Sequence, residues 1–160
     1  LTPFDLTTSS DLPYSLFHIE RGGGLTFHHT GQFIFYPILK LSPQKLNLSR
    51  MTQDIFQFCI DILQDWGLSQ LSSQNKLMGL WHKDKKIASM GIAIEKLTTF
   101  HGMALNLFQN KQMMSHLAKI RPCGLDIKTY LSVDELISLS PLACEKFADA
   151  FFERIIYEWK

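Results

Sequence analysis

The sequence predicts an α+β fold in which helices pack on one side of a sheet. Short apolar segments typical of strands cluster in the middle of the chain, and patterns with helical spacing flank them, as expected of this fold class. Hydrophobic residues make up 46% of the 160 residues and charged residues 19%, as in an ordinary globular protein. No repeat, low-complexity tract or linker divides the chain, so residues 1–160 are expected to form a single domain.

The N-terminal part is predicted to contain a loop, a strand and a helix, in that order. Residues 1–19 are loop-rich and contain two prolines. The continuous apolar run 33–39 predicts a buried strand, in which Pro37 marks an edge or a bulge. Apolar residues recur at helical spacing over 50–66, and Ser49 is a suitable N-cap. A helix is therefore predicted there, and the glycine that follows closes it.

The middle of the chain predicts a β-hairpin and a third strand. Residues 77–82 and 86–94 both have strand-like patterns, and the polar residues 83–85 between them form a tight turn. Residues 100–107 are the third strand candidate. These segments are predicted to supply the centre of the sheet.

The C-terminal part predicts two further helices. Residues 132–135 have the sequence Ser-Val-Asp-Glu, a capping box that opens a short helix. Pro141 stands where the first turn of a longer helix is predicted, a position that tolerates proline. The apolar stripe of that helix includes Ala143, Phe147, Ala150, Phe151 and Ile155.

Net charge and cysteine content exclude several classes of protein. A net charge of +1 offers no basic field for nucleic acid. Cys59, Cys123 and Cys144 are widely spaced with no CxxC pair, so neither a zinc ribbon nor a disulfide framework is predicted. No signal peptide or membrane-length apolar run is visible, so we expect a reduced, cytoplasmic chain that does not enter a membrane. The chain begins at Leu1 rather than Met, and we expect a processed or truncated segment.

Four short motifs carry the residue types of a reaction site. They are Arg21-Gly22-Gly23-Gly24 followed by Leu25, Thr26, Phe27 and His28; Lys86-Ile87-Ala88-Ser89-Met90-Gly91; Phe100-His101-Gly102-Met103-Ala104-Leu105-Asn106; and Pro122-Cys123-Gly124. In this order they resemble the lipoyl(octanoyl) transferases, which form an acyl-thioester on a cysteine. The resemblance implies a biotin/lipoate-protein-ligase-like fold, with a mixed sheet flanked by helices.

Cys123 and Lys86 are the candidate catalytic pair. A thiolate is the nucleophilic form of cysteine, so a neighbouring group must favour it at neutral pH. A lysine can do so by charge or as a base, and the resemblance implies that Lys86 takes this role. Read alone, Cys123 would be a small buried hydrophobe and Lys86 a solvated turn lysine. Lys85 is the competing lysine, and register with Ile87 favours Lys86.

The resemblance also implies a substrate pocket without metal or cofactor. Its implied binding residues are Arg21, Gly22, Gly23, Gly24, Leu25, Thr26, Phe27, His28, Ser89, Met90, Gly91, Gly102, Met103 and Ala104, with His101 and Asn106 as further pocket candidates. Small residues on facing strands leave a slot for an acyl chain, but they serve close strand packing equally well. No metalloenzyme spacing such as HExxH is present, so no metal is expected.

The implied reaction is transfer of an octanoyl group from octanoyl-acyl carrier protein to a lysine of a lipoyl domain, the first step of endogenous lipoate biosynthesis. The implied acceptors are the lipoyl domains of 2-oxoacid dehydrogenase complexes and the glycine cleavage H protein. Three alternatives stay open on the sequence. They are an ATP-dependent lipoate or biotin ligase of the same fold, a degenerate lipoyl-domain-binding module, and a Cys–His acyltransferase or hydrolase that uses His101.

Several departures from the family pattern accompany the resemblance. A further N-terminal segment that the family carries before its glycine motif has no counterpart here, and His29-Thr30 stand where the family has Gly-Pro. Only Lys76 occupies the region where the family often has an arginine. The stretch from Asn106 to Cys123 is slightly long and lacks an acidic residue.

Overall fold

A five-stranded antiparallel sheet organises the residues that the computed structural model describes, which are 26–42, 47–74, 78–111, 115 and 125–159. The strands in chain order are β1 (Gln32–Phe35), β2 (Leu71–Gln74), β3 (Gly79–His82), β4 (Lys85–Glu95) and β5 (Thr98–Asn106). Their order across the sheet is β1-β5-β4-β3-β2. An isolated parallel bridge joins Lys86 to Tyr130 beside the antiparallel ladder. The predicted mixed sheet with helices is therefore confirmed.

The long α-helices beside this sheet are α1 (Leu48–Asp65) and α2 (Ala143–Glu158). Helix α1 begins earlier than predicted because Asn47, not Ser49, is its N-cap: the Asn47 side chain accepts from the backbone N–H groups of Ser49 and Arg50. Gly67 follows α1 with φ 92°, as expected of a closing glycine. Pro141 lies in a turn just before α2, so its predicted place in the first turn is wrong.

Strand β1 corrects the prediction for residues 33–39. The strand ends at Phe35, because Pro37 follows and has no N–H to offer the ladder. Its burial alternates, with Phe33 buried and Ile34 40% exposed, so it is not a continuously buried strand. The edge position that Pro37 suggested is confirmed, since β1 pairs with β5 at one end of the described sheet.

The hairpin and the third strand are confirmed with small shifts of their ends. Lys83 and Asp84 form the turn between β3 and β4, with Lys83 at φ 54°. A second tight turn at Lys96 and Leu97 joins β4 to β5. Strand β2 was not predicted at all. The capping box at 132–135 is confirmed and opens a short 3₁₀ helix, Val133–Glu135.

Both α-helices pack on one face of the sheet, as predicted. The ring of Phe33 on β1 lies 4.9 Å from Phe147 of α2, and Phe58 of α1 lies 6.1 Å from Phe151. Sγ of Cys59 in α1 lies 3.7 Å from the sulfur of Met103 in β5. Cys59 is fully buried in the core, and this burial raises the pKa of its thiol. We call this side of the sheet the helix face and the opposite side the front face.

Candidate active site

A β-bulge in β4 decides which face of the sheet carries Lys86. Leu80 of β3 pairs with Ala88, but the next residue, Trp81, pairs with Lys86, so Ile87 has no partner on β3. Paired residues share a face and neighbours along a strand alternate. Lys86 therefore lies on the front face with Trp81, whereas Ala88 lies on the helix face with Leu80. Without the bulge, Lys86 and Ala88 would share one face.

Lys86 is almost completely buried, with 4% of its surface exposed. Its Nζ lies 5.7 Å from the centroid of the Trp81 ring, within range of a cation–π interaction. On its other side the Lys86 carbonyl accepts a hydrogen bond of 3.0 Å from the backbone N–H of Leu131. A lysine is rarely buried in this way without a specific environment, so the position calls for an explanation beyond packing.

Lys85 differs from its neighbour in each of these respects. Its Nζ donates to the carbonyl of Lys128 at 2.9 Å and lies 3.8 Å from Asp84. It pairs with His82 rather than Trp81, which places it on the other face of the strand. These contacts belong to an ordinary surface lysine at a hairpin turn.

Small residues lie next to Lys86 on the front face. Ser89 pairs with Ala104, Gly91 pairs with Gly102, and Ala104 pairs in turn with Ile34 of the edge strand. Ser89 shares the face of Lys86 because it pairs with Gly79, two residues from Trp81. Ser89, Gly91, Gly102 and Ala104 thus lie on adjacent strands, and we call them the small-residue floor.

Two of the predicted pocket residues lie on the helix face instead. Met90 and Met103 pair with each other, and Met103 is fully buried against Cys59. Their side chains therefore belong to the core under the helices. At position 102 a glycine is also needed for packing, because a Cβ there would overlap the carbonyl oxygen of Phe35.

A set of polar side chains lies at the Asn106 end of the front face. Gln32 donates through Nε2 to Oδ1 of Asn106 at 2.9 Å, and Asn106 donates through Nδ2 to the carbonyl of Leu131 at 3.3 Å. Nδ1 of His28 lies 3.1 Å from Oε1 of Gln32, and Nε2 of His28 lies 3.0 Å from the hydroxyl of Tyr36. His28 is exposed, while Thr26 and Phe27 are half-buried.

His101 pairs with Ile92, away from the Asn106 end of β5, and has a strained backbone conformation. Its φ is 59°, a left-handed value that is uncommon for a residue other than glycine. Its ring lies 5.8 Å from Tyr36 and 5.0 Å from Phe100. It therefore belongs to an aromatic cluster with Tyr36, which also contacts His28.

His29 and Thr30 form a closed turn in place of the Gly-Pro of the family pattern. The ring Nδ1 of His29 accepts from the N–H of Gly31 at 3.1 Å, and its carbonyl accepts from the N–H of Gln32 at 3.1 Å. Burial and the neighbouring His28 lower the pKa of His29, in that order of size, so the neutral ring is favoured.

Several of the predicted site residues lie outside the described residues. They are Cys123 and the glycine motif Arg21, Gly22, Gly23, Gly24 and Leu25. The described chain resumes at Leu125, just after Cys123, and passes Lys86 at Tyr130 and Leu131. The sequence thus connects Cys123 by a short stretch to the segment that pairs with Lys86.

Sequence reasoning assigned no site role to Trp81, Tyr130 or Gln32, although Gly31-Gln32 is part of the resemblance to the transferases. Trp81 is 4% exposed, and its Nε1 is a buried donor with no hydrogen-bond partner among the described residues. Its pairing with Lys86 follows from the bulge, which no local pattern indicates. Gln32 is separated from Asn106 by 74 positions, so only the fold brings the two together.

In the described ranges, no group of three or more His, Cys, Asp or Glu side chains could hold a metal ion. Cys144 is half-buried on α2, where burial and Glu145 both raise the pKa of its thiol. No helix in the described part of the chain has the length and apolar character needed to cross a membrane.

Comparison with known proteins shows the family of the chain. Residues 5–156 match the family model of the lipoyl protein ligase A/B catalytic domain, and the chain belongs to that family. It is 33% identical over 121 residues to a probable octanoyltransferase 2 of Picrophilus torridus, a match that covers 76% of this chain and 48% of the relative. It is 37% identical over 121 residues to an octanoyltransferase of Prochlorococcus marinus (strain NATL2A), covering 76% and 49%. The chain spans about half the length of the curated relatives it matches.

Solved structures show the same fold. A crystal structure of lipoate-protein ligase A bound with ATP superimposes with a TM-score of 0.73 at 14% identity, covering 96% of this chain and 62% of that one. A putative lipoate protein ligase from T. acidophilum gives a TM-score of 0.68 at 15% identity, covering 98% and 62%. The expected lipoate-protein-ligase-like fold is therefore confirmed.

Proposed function

We propose that the protein is an octanoyltransferase that carries the acyl group on Cys123 and uses Lys86 to move protons. The observation that carries this proposal is the burial of Lys86 on the front face, beside the small-residue floor and the segment that follows Cys123. The names of the relatives that span most of this chain support the same activity.

In the first step, the thiolate of Cys123 attacks the thioester carbonyl of octanoyl-acyl carrier protein. The new C–S bond forms as the old one breaks, and the carrier thiol leaves with the proton that Cys123 has given up through Lys86. In the second step, the ε-amine of a lysine on a lipoyl domain attacks octanoyl-Cys123. A C–N bond forms, the Cys123 sulfur leaves, and Lys86 accepts the proton lost by the amine. A thioester is already activated, so the two steps need neither ATP nor a metal.

The front face supports the binding part of this proposal. Ser89, Gly91 and Ala104 are small residues, and this face is proposed to hold an apolar chain, of which each CH₂ that leaves water contributes about 0.8 kcal/mol. Met90 and Met103 pack in the core on the helix face of the sheet and do not line the proposed pocket. The motif from Arg21 to His28 is proposed to close over the acyl group, since glycines allow a backbone to pass close to a ligand.

The test is a transfer assay with matched lysine variants. The purified full chain, octanoyl-acyl carrier protein and an apo lipoyl domain are mixed, and octanoylation of the acceptor lysine is followed by mass spectrometry. Loss of a general acid–base group lowers a rate by about 10²–10⁴-fold, and we expect this for Lys86→Met. The control Lys85→Met is expected to stay within about threefold of the parent, because its contacts are those of the surface.

A second donor separates the proposal from a ligase. Free octanoate with ATP is offered in place of the thioester donor. Product only from free octanoate with ATP would favour a ligase of the same fold. If folded protein gave no product with either donor, a binding module would be favoured. Product from the thioester donor without ATP supports the proposed transferase.

A further inference from the structure

We propose that Gln32 and Asn106 are positioning residues that hold the segment at Leu131 against Lys86. The proposal rests on the octanoyltransferase function, because it concerns the placement of the proposed catalytic lysine. Neither side chain is placed in contact with the acyl group, and both act through the backbone beside Lys86.

The need for such a device arises where β5 ends. Strand β5 pairs with β4 from Glu95 back to Ala88, and the pairing stops there. At Lys86 the place of β5 is taken by the irregular segment at Tyr130 and Leu131. The backbone of Lys86 is thus held on this side by a segment outside the named strands.

Asn106 ties Leu131 to the end of β5 through its side chain. It is the last residue of β5, and its Nδ2 donates to the carbonyl of Leu131 at 3.3 Å. The N–H of Leu131 in turn donates to the carbonyl of Lys86 at 3.0 Å. This side-chain bond therefore restrains Leu131, the residue whose own N–H bonds the carbonyl of Lys86.

Gln32 fixes the orientation of the Asn106 amide. Its Nε2 donates to Oδ1 of Asn106 at 2.9 Å, and its Oε1 accepts from the backbone N–H of His29 at 3.3 Å. This series of hydrogen bonds ends in a backbone group on each side. The N–H of His29 can only donate, and the carbonyl of Leu131 can only accept. The direction of both amides follows from these ends, so turning either amide would place donors against donors.

The chain of bonds also links three of the motif-bearing segments. Gln32 ties the turn after His28 to β5, and Asn106 ties β5 to the segment downstream of Cys123. A displacement of about 1 Å in a reacting group can lower a rate by about 10²-fold. The amide pair is therefore placed to affect turnover without contacting substrate.

The test replaces one amide with an isosteric carboxylate. Asp at position 106 keeps an acceptor for Gln32 but loses the donor to Leu131. For Asn106→Asp we expect kcat of octanoyl transfer to fall by about 10–100-fold, with KM for the carrier thioester within about threefold. Gln32→Glu is expected to show the same split between kcat and KM, because it removes the donor that orients Asn106.

Two further measurements separate positioning from general destabilisation. Asn47→Ala removes the N-cap of α1, far from the front face, and it is expected to lower stability but leave kcat unchanged. As the pH falls to about 4, the ordinary pKa of an aspartic acid, the activity of Asn106→Asp relative to the parent is expected to recover, because a protonated carboxyl again donates to the Leu131 carbonyl. A purely structural loss would not recover.

Hydrogen exchange gives a readout that does not depend on turnover. Amides of a peptide that contains Tyr130 and Leu131 are expected to exchange faster in Asn106→Asp than in the parent or in Asn47→Ala. Unchanged exchange, or a kcat equal to the parent's, would overturn the positioning proposal while the parent's transfer activity still supported the function. An inactive parent would overturn the function and this proposal with it.

Discussion

Replacing Gly102 with alanine is expected to destabilise the protein by about 1–3 kcal/mol, because a methyl group has no room between β5 and the end of β1. The added Cβ would overlap the carbonyl oxygen of Phe35 and would lie 2.8 Å from Cδ of Pro37. A backbone carbonyl and a proline ring cannot rotate away, so the end of β1 must move. The Phe35 ring packs 4.9 Å from Phe151, and its displacement would bring the cost toward the upper end of the range.

The assay is urea unfolding of the full chain, with thermal unfolding beside it. A loss of 1–3 kcal/mol corresponds to a fall in Tm of roughly 3–10 °C for a domain of this size. The double variant with Pro37→Ala should recover only part of the loss of Gly102→Ala, because the Phe35 carbonyl remains in place. Stability within about 0.5 kcal/mol of the parent would refute the reasoning. The small size of Gly102 would then serve the acyl slot rather than strand packing.

Three further predictions concern single contacts. Asn47→Ala should cost about 1 kcal/mol and Ser49→Ala less than about 0.5, and equal costs in urea unfolding would contradict the assignment of Asn47 as N-cap. Thr99→Val should lower the free energy of unfolding by about 1–3 kcal/mol, since the fully buried hydroxyl donates to the Pro37 carbonyl at 2.6 Å and accepts from the Leu39 N–H at 2.9 Å. Thr99→Ser keeps the hydroxyl and should retain most of the stability. No loss of stability in Thr99→Val would contradict this reasoning. The lowered pKa of His29 means that the unfolded chain binds more protons below about pH 6.5. The free energy of unfolding should therefore decrease as the pH is lowered from 7 to 5, and it should decrease less steeply in His29→Asn. An equal pH dependence in the parent and in His29→Asn would contradict this prediction.

Much of the fold was predictable because its signals are local. The hairpin of β3 and β4 follows from two apolar segments around a polar turn, and α1 follows from its helical spacing. Strand β2 gave no such signal: Leu71–Gln74 has three exposed residues, and the strand is held by its backbone pairing with β3. An edge strand of this kind depends on a partner that the local sequence does not contain.

The candidate site was predictable only in part, for the same reason. A motif consists of consecutive residues, but neighbouring residues of a strand point to opposite faces of the sheet. Ser89 therefore lies on the front face and Met90 in the core on the helix face. The bulge at Ile87 reverses this alternation for Lys86, and it is defined only by pairing with β3. Gln32 and Asn106 meet through strand register across a long stretch of sequence.

The measurement that tests the central claim most directly is the trapping of an acyl group on Cys123. The full chain is mixed with octanoyl-acyl carrier protein without an acceptor, and intact and peptide masses are recorded for the parent, Cys123→Ala and Cys144→Ala. The account predicts one octanoyl group on the peptide that contains Cys123 in the parent and in Cys144→Ala, its absence in Cys123→Ala, and its discharge by an apo lipoyl domain. An adduct that persists in Cys123→Ala, or folded protein that transfers octanoate without acylation of Cys123, would contradict it.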